Sequence, residues 1–396
     1  MASGSVRFLV GLGLAQTISW GSLFYSFPQI ATAMSADLGW PRDQIYGAAT
    51  VGLLLSALAA YPVGRLIDRG YGRLVMTAGS VVAGLCFVGW SQVQSMAWFY
   101  VWAGLVGSMQ AATLYDPAFA VIVQQLGSHP ARRGITTLTL FGGFASTVFV
   151  PLVQGLLVAG DWRSTLLVLG LLNGGVAAGL QATAIRARPT TTVPATPLPA
   201  GLIRWAVRQP VFWLLAIATT AHAATFAAFT FHLYPLLLER GLTTEQVVMV
   251  IACIGPAQVA GRLVLWLIAP KASVPVLGSA LVGLFPVLFV GLAVGPSQFG
   301  MFALVALSFG AANGVMTIVK GLMVPAMLSP EAYGGLNGLL AAPATLARAA
   351  APLAAALLWS RAGNYDPVLL ALIDSSSLIA LSFWLAAVQR TKPTIA

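Results

Sequence analysis

Apolar runs long enough to cross a bilayer recur along this chain from Val6 to Val388, and that recurrence constrains the fold more than any single motif. A run of about 18 such residues, coiled as a helix, spans a hydrocarbon core roughly 30 Å thick. Only 8% of the residues are charged and 58% are hydrophobic, whereas an ordinary soluble domain is about one quarter charged. The pattern predicts an all-α membrane protein with twelve transmembrane helices, at about residues 7 to 33, 45 to 66, 74 to 93, 97 to 126, 135 to 159, 163 to 184, 210 to 238, 246 to 269, 274 to 294, 298 to 327, 335 to 359 and 367 to 388. No small-residue cleavage site follows a short apolar core near the N-terminus, so residues 7 to 33 read as a retained helix.

A net charge of +10 would suggest nucleic-acid binding in a soluble chain, so the placement of the charges decides its meaning. With both termini cytoplasmic, thirteen basic residues fall on the inner side, Arg65, Arg69, Arg73, Arg132 and Arg133 among them. Only four, Arg42, Arg163, Arg240 and Arg361, fall on the outer side. This positive-inside bias predicts a multi-pass protein of the cell (inner) membrane. It leaves no nucleic-acid partner to be explained and points to anionic lipid instead.

Cys86 and Cys253 are the only cysteines, both inside expected spans and without metal-ligand spacing, so both are expected to be buried and inert. No P-loop, H-E-x-x-H or C-x-x-C motif is present. With ten acidic residues and no polar cluster at one interface, the chain is expected to be no enzyme and to carry neither cofactor nor metal.

The longest polar interruption, residues 185 to 209, is rich in Thr and Pro and reads as a cytoplasmic linker, with GLIRWAVR as a possible short helix. It separates an N-terminal six-helix bundle, 1 to 184, from a C-terminal one, 210 to 396. An offset of 201 residues lays 131 to 152 on 332 to 353, matching Gly134 with Gly335 and Pro151-Leu152 with Pro352-Leu353. An offset of 202 pairs Gln44-Ile45 with Gln246-Val247, Arg69 with Lys271 and Trp20 with His222. A six-plus-six parallel repeat is the arrangement expected of a transporter whose bundles rock around a site between them.

Between the second and third expected helices stands GRLIDRGYGR, residues 64 to 73. Gly64 is expected to let helix ends approach, Gly70 and Gly72 to permit a tight turn, and Asp68 to pair with Arg69, Arg73 or a helix end as a conformational switch. The stretch resembles the signature loop of the major facilitator superfamily through Gly64, Asp68, Arg69, Gly72 and Arg73. The second half keeps Gly261, Arg262 and Lys271 but lacks the aspartate. The segments WGSLFYSFPQIATAMSADLGW (20 to 40) and YDPAFAVIVQQ (115 to 125), with arginines in helices eight and eleven, are similar to the monocarboxylate and oxalate transporter branch and its bacterial relatives, some of which export arsenite or other compounds.

Five ionisable residues fall at membrane depth: Asp116, Arg262, Lys320, Arg348 and Asp374. Such groups cost roughly 2.5 to 3.5 kcal/mol on insertion scales and are functional candidates. Arg348 lies 13 residues beyond Gly335 and 11 before Trp359, too deep to snorkel; it needs a cavity, a ligand or an ion pair with Asp116 or Asp374. The resemblance implies that helices eight and eleven flank a central cavity where Arg262 and Arg348 hold a carboxylate. Arginine suits that task through two parallel hydrogen bonds.

Trp20, Tyr25, Tyr115, His222 and Asn313 are expected to line the substrate site with the arginines, and Asp116, Lys320 and His232 to carry a coupling proton. Asp374, on a helix that by resemblance packs outside the cavity, has hydroxyl neighbours in DSSSL. The expected activity is secondary active transport of a small organic solute, a monocarboxylate-type anion, by alternating access with proton coupling, in a monomer. Proton-driven efflux of a drug-like or metalloid compound, or a non-transporting scaffold on the same fold, are the competing expectations.

Overall fold

The computed structural model describes residues 3–126, 128–186, 202–268, 272–328 and 333–389. The chain divides into two compact units, Met1–Ala195 and Thr196–Ala396. Most of the sequence-defined linker, with Lys271 and the C-terminal Arg390 and Lys392, lies outside the described residues.

In the first unit, α1 (Ser3–Trp20) runs through a π-helical turn, Gly21–Tyr25, into α2 (Phe27–Leu38). There follow α3 (Arg42–Leu66), the turn Ile67–Tyr71, α4 (Gly72–Ser91), α5 (Met96–Thr113), α6 (Tyr115–Leu126), α7 (Ser128–Gly143), α8 (Ala145–Ala159) and α9 (Trp162–Leu171). A second π-helical turn, Leu172–Ala177, joins α9 to α10 (Ala178–Ala184). The second unit contains the short α11 (Leu202–Ala206), then α12 (Pro210–Glu239), α13 (Thr244–Ala252), α14 (Ile254–Ile268), α15 (Val274–Val294), α16 (Phe299–Met327), α17 (Tyr333–Ala362) and α18 (Asp366–Gln389). Among the described residues there is no strand.

Among the described residues eleven stretches are long and apolar enough to cross a membrane. The fourth expected span, 97 to 126, is not among them; it is two helices, α5 and α6, which meet where Leu114 takes extended backbone (φ −84°, ψ −152°). The reason is local: Pro117 has no N–H to donate back to Thr113, so the helical ladder is already interrupted one turn later. The span 246 to 269 also bends, at Cys253 between α13 and α14, and Cys253 is half-exposed where burial was expected.

The same helix pairs pack in both units. The first span packs on the fifth (α1 with α7 and α8; α12 with α17), the second on the fourth (α3 with α5; α14 with α16) and the third on the sixth (α4 with α9 and α10; α15 with α18). Glycine makes the second of these contacts in both units. A Cβ on Gly107 would strike the backbone of Gly52, and one on Gly310 would lie 2.7 Å from Ile254 O. The two glycines stand 203 residues apart, within two of the sequence repeat.

One end of the first unit closes on an apolar cluster of Phe8, Leu9, Leu12, Ile67, Met76, Ala118, Val121, Ile122, Leu138 and Ile185. Burial of Ile67 pins the turn between α3 and α4 to α6, whose Gln124 Nε2 donates to Ile67 O at 2.7 Å.

Candidate functional site

The switch turn departs from its expected anatomy. Gly70, at φ 89°, makes the turn that only glycine adopts freely. Gly72 is helical (φ −53°) and instead lets α4 approach α6, since a Cβ there would lie 2.6 Å from Val121 Cγ2. Gly64 makes no close approach, because no described atom lies within 4 Å of a Cβ built on it. The Asp68 side chain lies outside what is described. Arg69 and Arg73 are exposed and, among the described residues, make no ion pair.

In the first unit, three expected site residues come together. The π-helical turn after Trp20 widens the first span, so Trp20, Phe24 and Tyr25 crowd one side of it. The Trp20 ring lies 4.9 Å from Tyr115 and 6.3 Å from Tyr25, and Tyr115 stacks on Phe119 at 5.2 Å. The Trp20 Nε1 is buried without a hydrogen-bond partner. Asp116, next to Tyr115 in the chain, is exposed in the first turn of α6, where the positive end of the helix dipole favours a carboxylate.

Polar side chains tie this aromatic cluster into the bundle. Gln110 Nε2 donates to Leu23 O at 3.1 Å, inside the π-helical turn, and Gln16 Nε2 donates to Thr113 O just before the break at Leu114. Asn173 donates to the Ser22 hydroxyl. The two irregular segments, Gly21–Tyr25 and Leu114, are thus held by amide side chains that satisfy freed backbone carbonyls.

In the second unit, α14 and α16 touch backbone to backbone, because a Cβ on Gly314 would strike the Gln258 backbone. The close approach lets Arg262 of α14 reach main chain on α16. Its Nε donates to Gly314 O at 2.9 Å and one terminal nitrogen donates to Thr317 Oγ1 at 3.1 Å, while Thr317 Oγ1 donates to Gly314 O at 2.7 Å. Thr317 and Gly314 are site residues that sequence reasoning missed. Their signal was the helical spacing of Asn313, Thr317 and Lys320, four and three residues apart on one face.

Lys320 is half-buried and stands within electrostatic reach of Arg348 on α17 and His222 on α12. His222 is buried, with its ring parallel to Phe226 and edge-on to Phe285 at 5.8 Å; its Nδ1 has no partner. Asn313 is buried beside Gly314. Arg348 is exposed. Among the described residues neither Lys320 nor Arg348 makes an ion pair, so the pairing with Asp374 considered for Arg348 is not formed. Three cations from three helices, Arg262, Lys320 and Arg348, thus gather in one unit with a histidine beside them.

His232 does not join them. It is buried, its Nδ1 lies 3.0 Å from Tyr365 Oη and its Nε2 2.9 Å from Pro352 O. A carbonyl only accepts, so Nε2 carries a proton and donates it to Pro352 O. The contact supports α17 at a proline. The same end of the unit is fastened by Glu239, which accepts from Trp359 Nε1 and from Tyr365 N at 2.7 Å each, and by the Arg240–Asp366 ion pair at 2.9 Å.

A helical bundle pair built as a six-plus-six repeat, with irregular segments and charges at membrane depth, defines a solute transporter. The chain belongs to the Major Facilitator Superfamily, whose profile matches residues 12–297. It is a multi-pass membrane transporter and not an enzyme.

Two curated relatives are monocarboxylate transporters. The chain is 29% identical over 248 residues to monocarboxylate transporter 11 of Homo sapiens, across 58% of this chain and 51% of that protein. To monocarboxylate transporter 11 of Mus musculus it is 28% identical over 224 residues, across 55% and 49%. The chain therefore matches about half the length of these relatives. Among solved structures it is similar to a bacterial homolog of the human lysosomal transporter Spinster (TM-score 0.74, 14% identity, all of both chains) and to the nucleoside transporter NupG (TM-score 0.77, 11% identity, 97% of this chain and 99% of that one). At such identities the likeness establishes the fold.

Proposed function

We propose that this chain is a secondary active transporter of a small organic anion, of the monocarboxylate class, coupled to protons through alternating access. The observation that carries this reading is the gathering of Arg262, Lys320 and Arg348 in the second unit, where Lys320 and Arg348 make no ion pair among the described residues. Cations at membrane depth are costly unless neutralised, and an entering carboxylate neutralises them. Arg262, already oriented by Gly314 and Thr317, and the exposed Arg348 offer guanidinium forks to the anion. The name of the curated relatives supports the same substrate class.

We assign the coupling proton to Lys320. Arginine keeps its proton at every working pH, whereas a desolvated lysine exchanges its own readily. His232, with both ring nitrogens engaged, is left a structural part.

The test is flux of a radiolabelled monocarboxylate into proteoliposomes under an imposed pH gradient. An inward proton gradient is expected to accelerate uptake. Replacing Arg348→Gln removes a charge-assisted pair and is expected to lower uptake roughly 10- to 150-fold. Transport and anion preference that survive this change would refute the carboxylate reading. Absence of anion flux together with resistance to toxic compounds would favour drug or metalloid export.

A further inference from the structure

The corner between α11 and α12 plays no part in the transport reading. α11 is held from one side: Ala206 is fully buried and the helix packs on α17. The turn after it stays tight, with Arg208 N donating to Trp205 O at 3.1 Å and Gln209 N to Ala206 O at 3.0 Å. At 3.6 residues per turn, Arg204 and Arg208 each fall about 160° from Ala206 and within about 40° of one another. Both are exposed, and Trp205 beside them is 39% exposed.

The depth of this corner follows from Trp213. The apolar span Pro210–Glu239 begins just after it, and Trp213, in the first turn of that span, is 57% exposed. Its Nε1 donates to Val207 O at 2.8 Å, which folds the chain before Pro210 back to the level of the indole. An exposed tryptophan at the end of a span sits where headgroups meet acyl chains. Arg208, next to Val207, and Arg204 one turn away thus stand in the headgroup layer, roughly 5 to 7 Å thick on each side of the hydrocarbon. No acid of the unit answers them there. The chain has no Asp or Glu between Asp161 and Glu239, Glu239 is at the far end of α12, and α17 carries none. Among the described residues neither arginine makes an ion pair.

We propose that Arg204 and Arg208, flanked by Trp205 and Trp213, bind the phosphate of an anionic phospholipid. Charge selects the occupant, because two unpaired guanidiniums in a headgroup layer meet phosphate before any other anion. Side chains four residues apart on a helix stand about 6 Å from one another, close enough for both to reach one phosphate. Each guanidinium can give that phosphate two parallel hydrogen bonds. The indoles distinguish a lipid from free phosphate, since they offer apolar surface to the glycerol and the upper acyl chain, which inorganic phosphate lacks. Loop charge predicts only the leaflet, whereas the α11–α12 corner gives one lipid a place. A lipid held there ties the start of the second unit to the membrane surface, whatever solute the unit carries.

The test reconstitutes the full chain in phosphatidylcholine liposomes with a trace of phosphatidylglycerol that carries a diazirine beside its headgroup. After irradiation, the labelled peptides are read by mass spectrometry. Labelling is expected on residues 202 to 213, and unlabelled phosphatidylglycerol should displace it, while extra phosphatidylcholine or inorganic phosphate should not. Arg204→Gln or Arg208→Gln alone is expected to lower labelling of that segment roughly fivefold, and the two together roughly thirtyfold. Labelling around Arg69 and Arg73 should stay at the parent's level and serves as the internal reference. Both substituted positions are exposed, so the variants should keep the parent's thermal melting, which is measured in parallel. No label on the segment, or label that survives the double substitution, would overturn the proposal. Displacement by phosphatidylcholine would show that the arginines do not select the lipid, and displacement by inorganic phosphate would show a free-anion site; either result overturns it as well.

Discussion

Arg262 and Lys320 differ by what holds them. Arg262 is oriented by a backbone carbonyl and a hydroxyl, Gly314 O and Thr317 Oγ1, neither of which neutralises its charge. These bonds fix the direction in which the guanidinium points, and a carboxylate-binding arginine benefits from such positioning. Lys320 has Arg348 and His222 near it and, among the described residues, no acid paired to it. Lys320→Arg keeps the positive charge but removes the ability to release a proton. The variant is expected to exchange anion for anion across the membrane while losing acceleration by a pH gradient, a difference measured with labelled substrate with and without the gradient. Gradient-driven uptake equal to the parent's would remove Lys320 from the coupling role. The two lone aspartates considered from sequence illustrate how chain position misleads. Asp116 stands at a helix start that no hydropathy profile marks, and Asp374 faces away from its own bundle.

At the scale of single elements, helix ends and interruptions follow from local chemistry. The start of α9 is a reciprocal cap. Ser164 N donates to Asp161 Oδ1 at 2.7 Å and Asp161 N donates to Ser164 Oγ at 3.0 Å. The backbone N–H of Ser164, then its hydroxyl, and to a smaller degree Arg163 hold the Asp161 carboxyl below the ordinary carboxylate range. A depressed value means that the cap contributes stability above the unfolded group's pKa and loses it as pH falls through the lower folded value. Asp161→Ala is expected to cost about 1 kcal/mol at neutral pH. The difference from the parent should vanish in acid below the normal carboxylate range, as followed by thermal unfolding in detergent. A difference independent of pH would mean that the cap does not act through its charge. The box was readable as D-x-x-S before an apolar run. The break at Leu114 was only half readable, since Pro117 advertised a bend but not the extended residue that divides the span.

At the scale of the whole molecule, both units repeat one packing scheme, and each brings its second and fourth spans together through glycine. Duplicated sequence with equivalent pairings explains why a weak offset near 201 residues carried real architectural information. Orientation in the membrane belongs to this scale too, because it depends on the summed loop charges rather than on any one residue. With thirteen basic residues against four on the two sides, a fluorescent protein that matures only in the cytoplasm is expected to light up when fused to the C-terminus. A dark fusion at normal expression would reverse the assigned orientation.

What the sequence determined by itself was whatever depends on composition and period. Long apolar runs impose membrane helices because unpaired backbone cannot sit in lipid, and the repeat and the loop after the second span identified the superfamily. The list of polar residues at depth was legible for the same reason, since each stands out against aliphatic neighbours. Their partners were not legible. That His232 is tied to Tyr365 and Pro352, that Arg262 reaches Gly314 and Thr317, and that Asp374 is exposed all depend on helix rotation and on contacts between residues 52 to 133 positions apart. Only tertiary packing sets those rotations, because in an all-apolar helix no hydrophobic stripe marks which face turns inward.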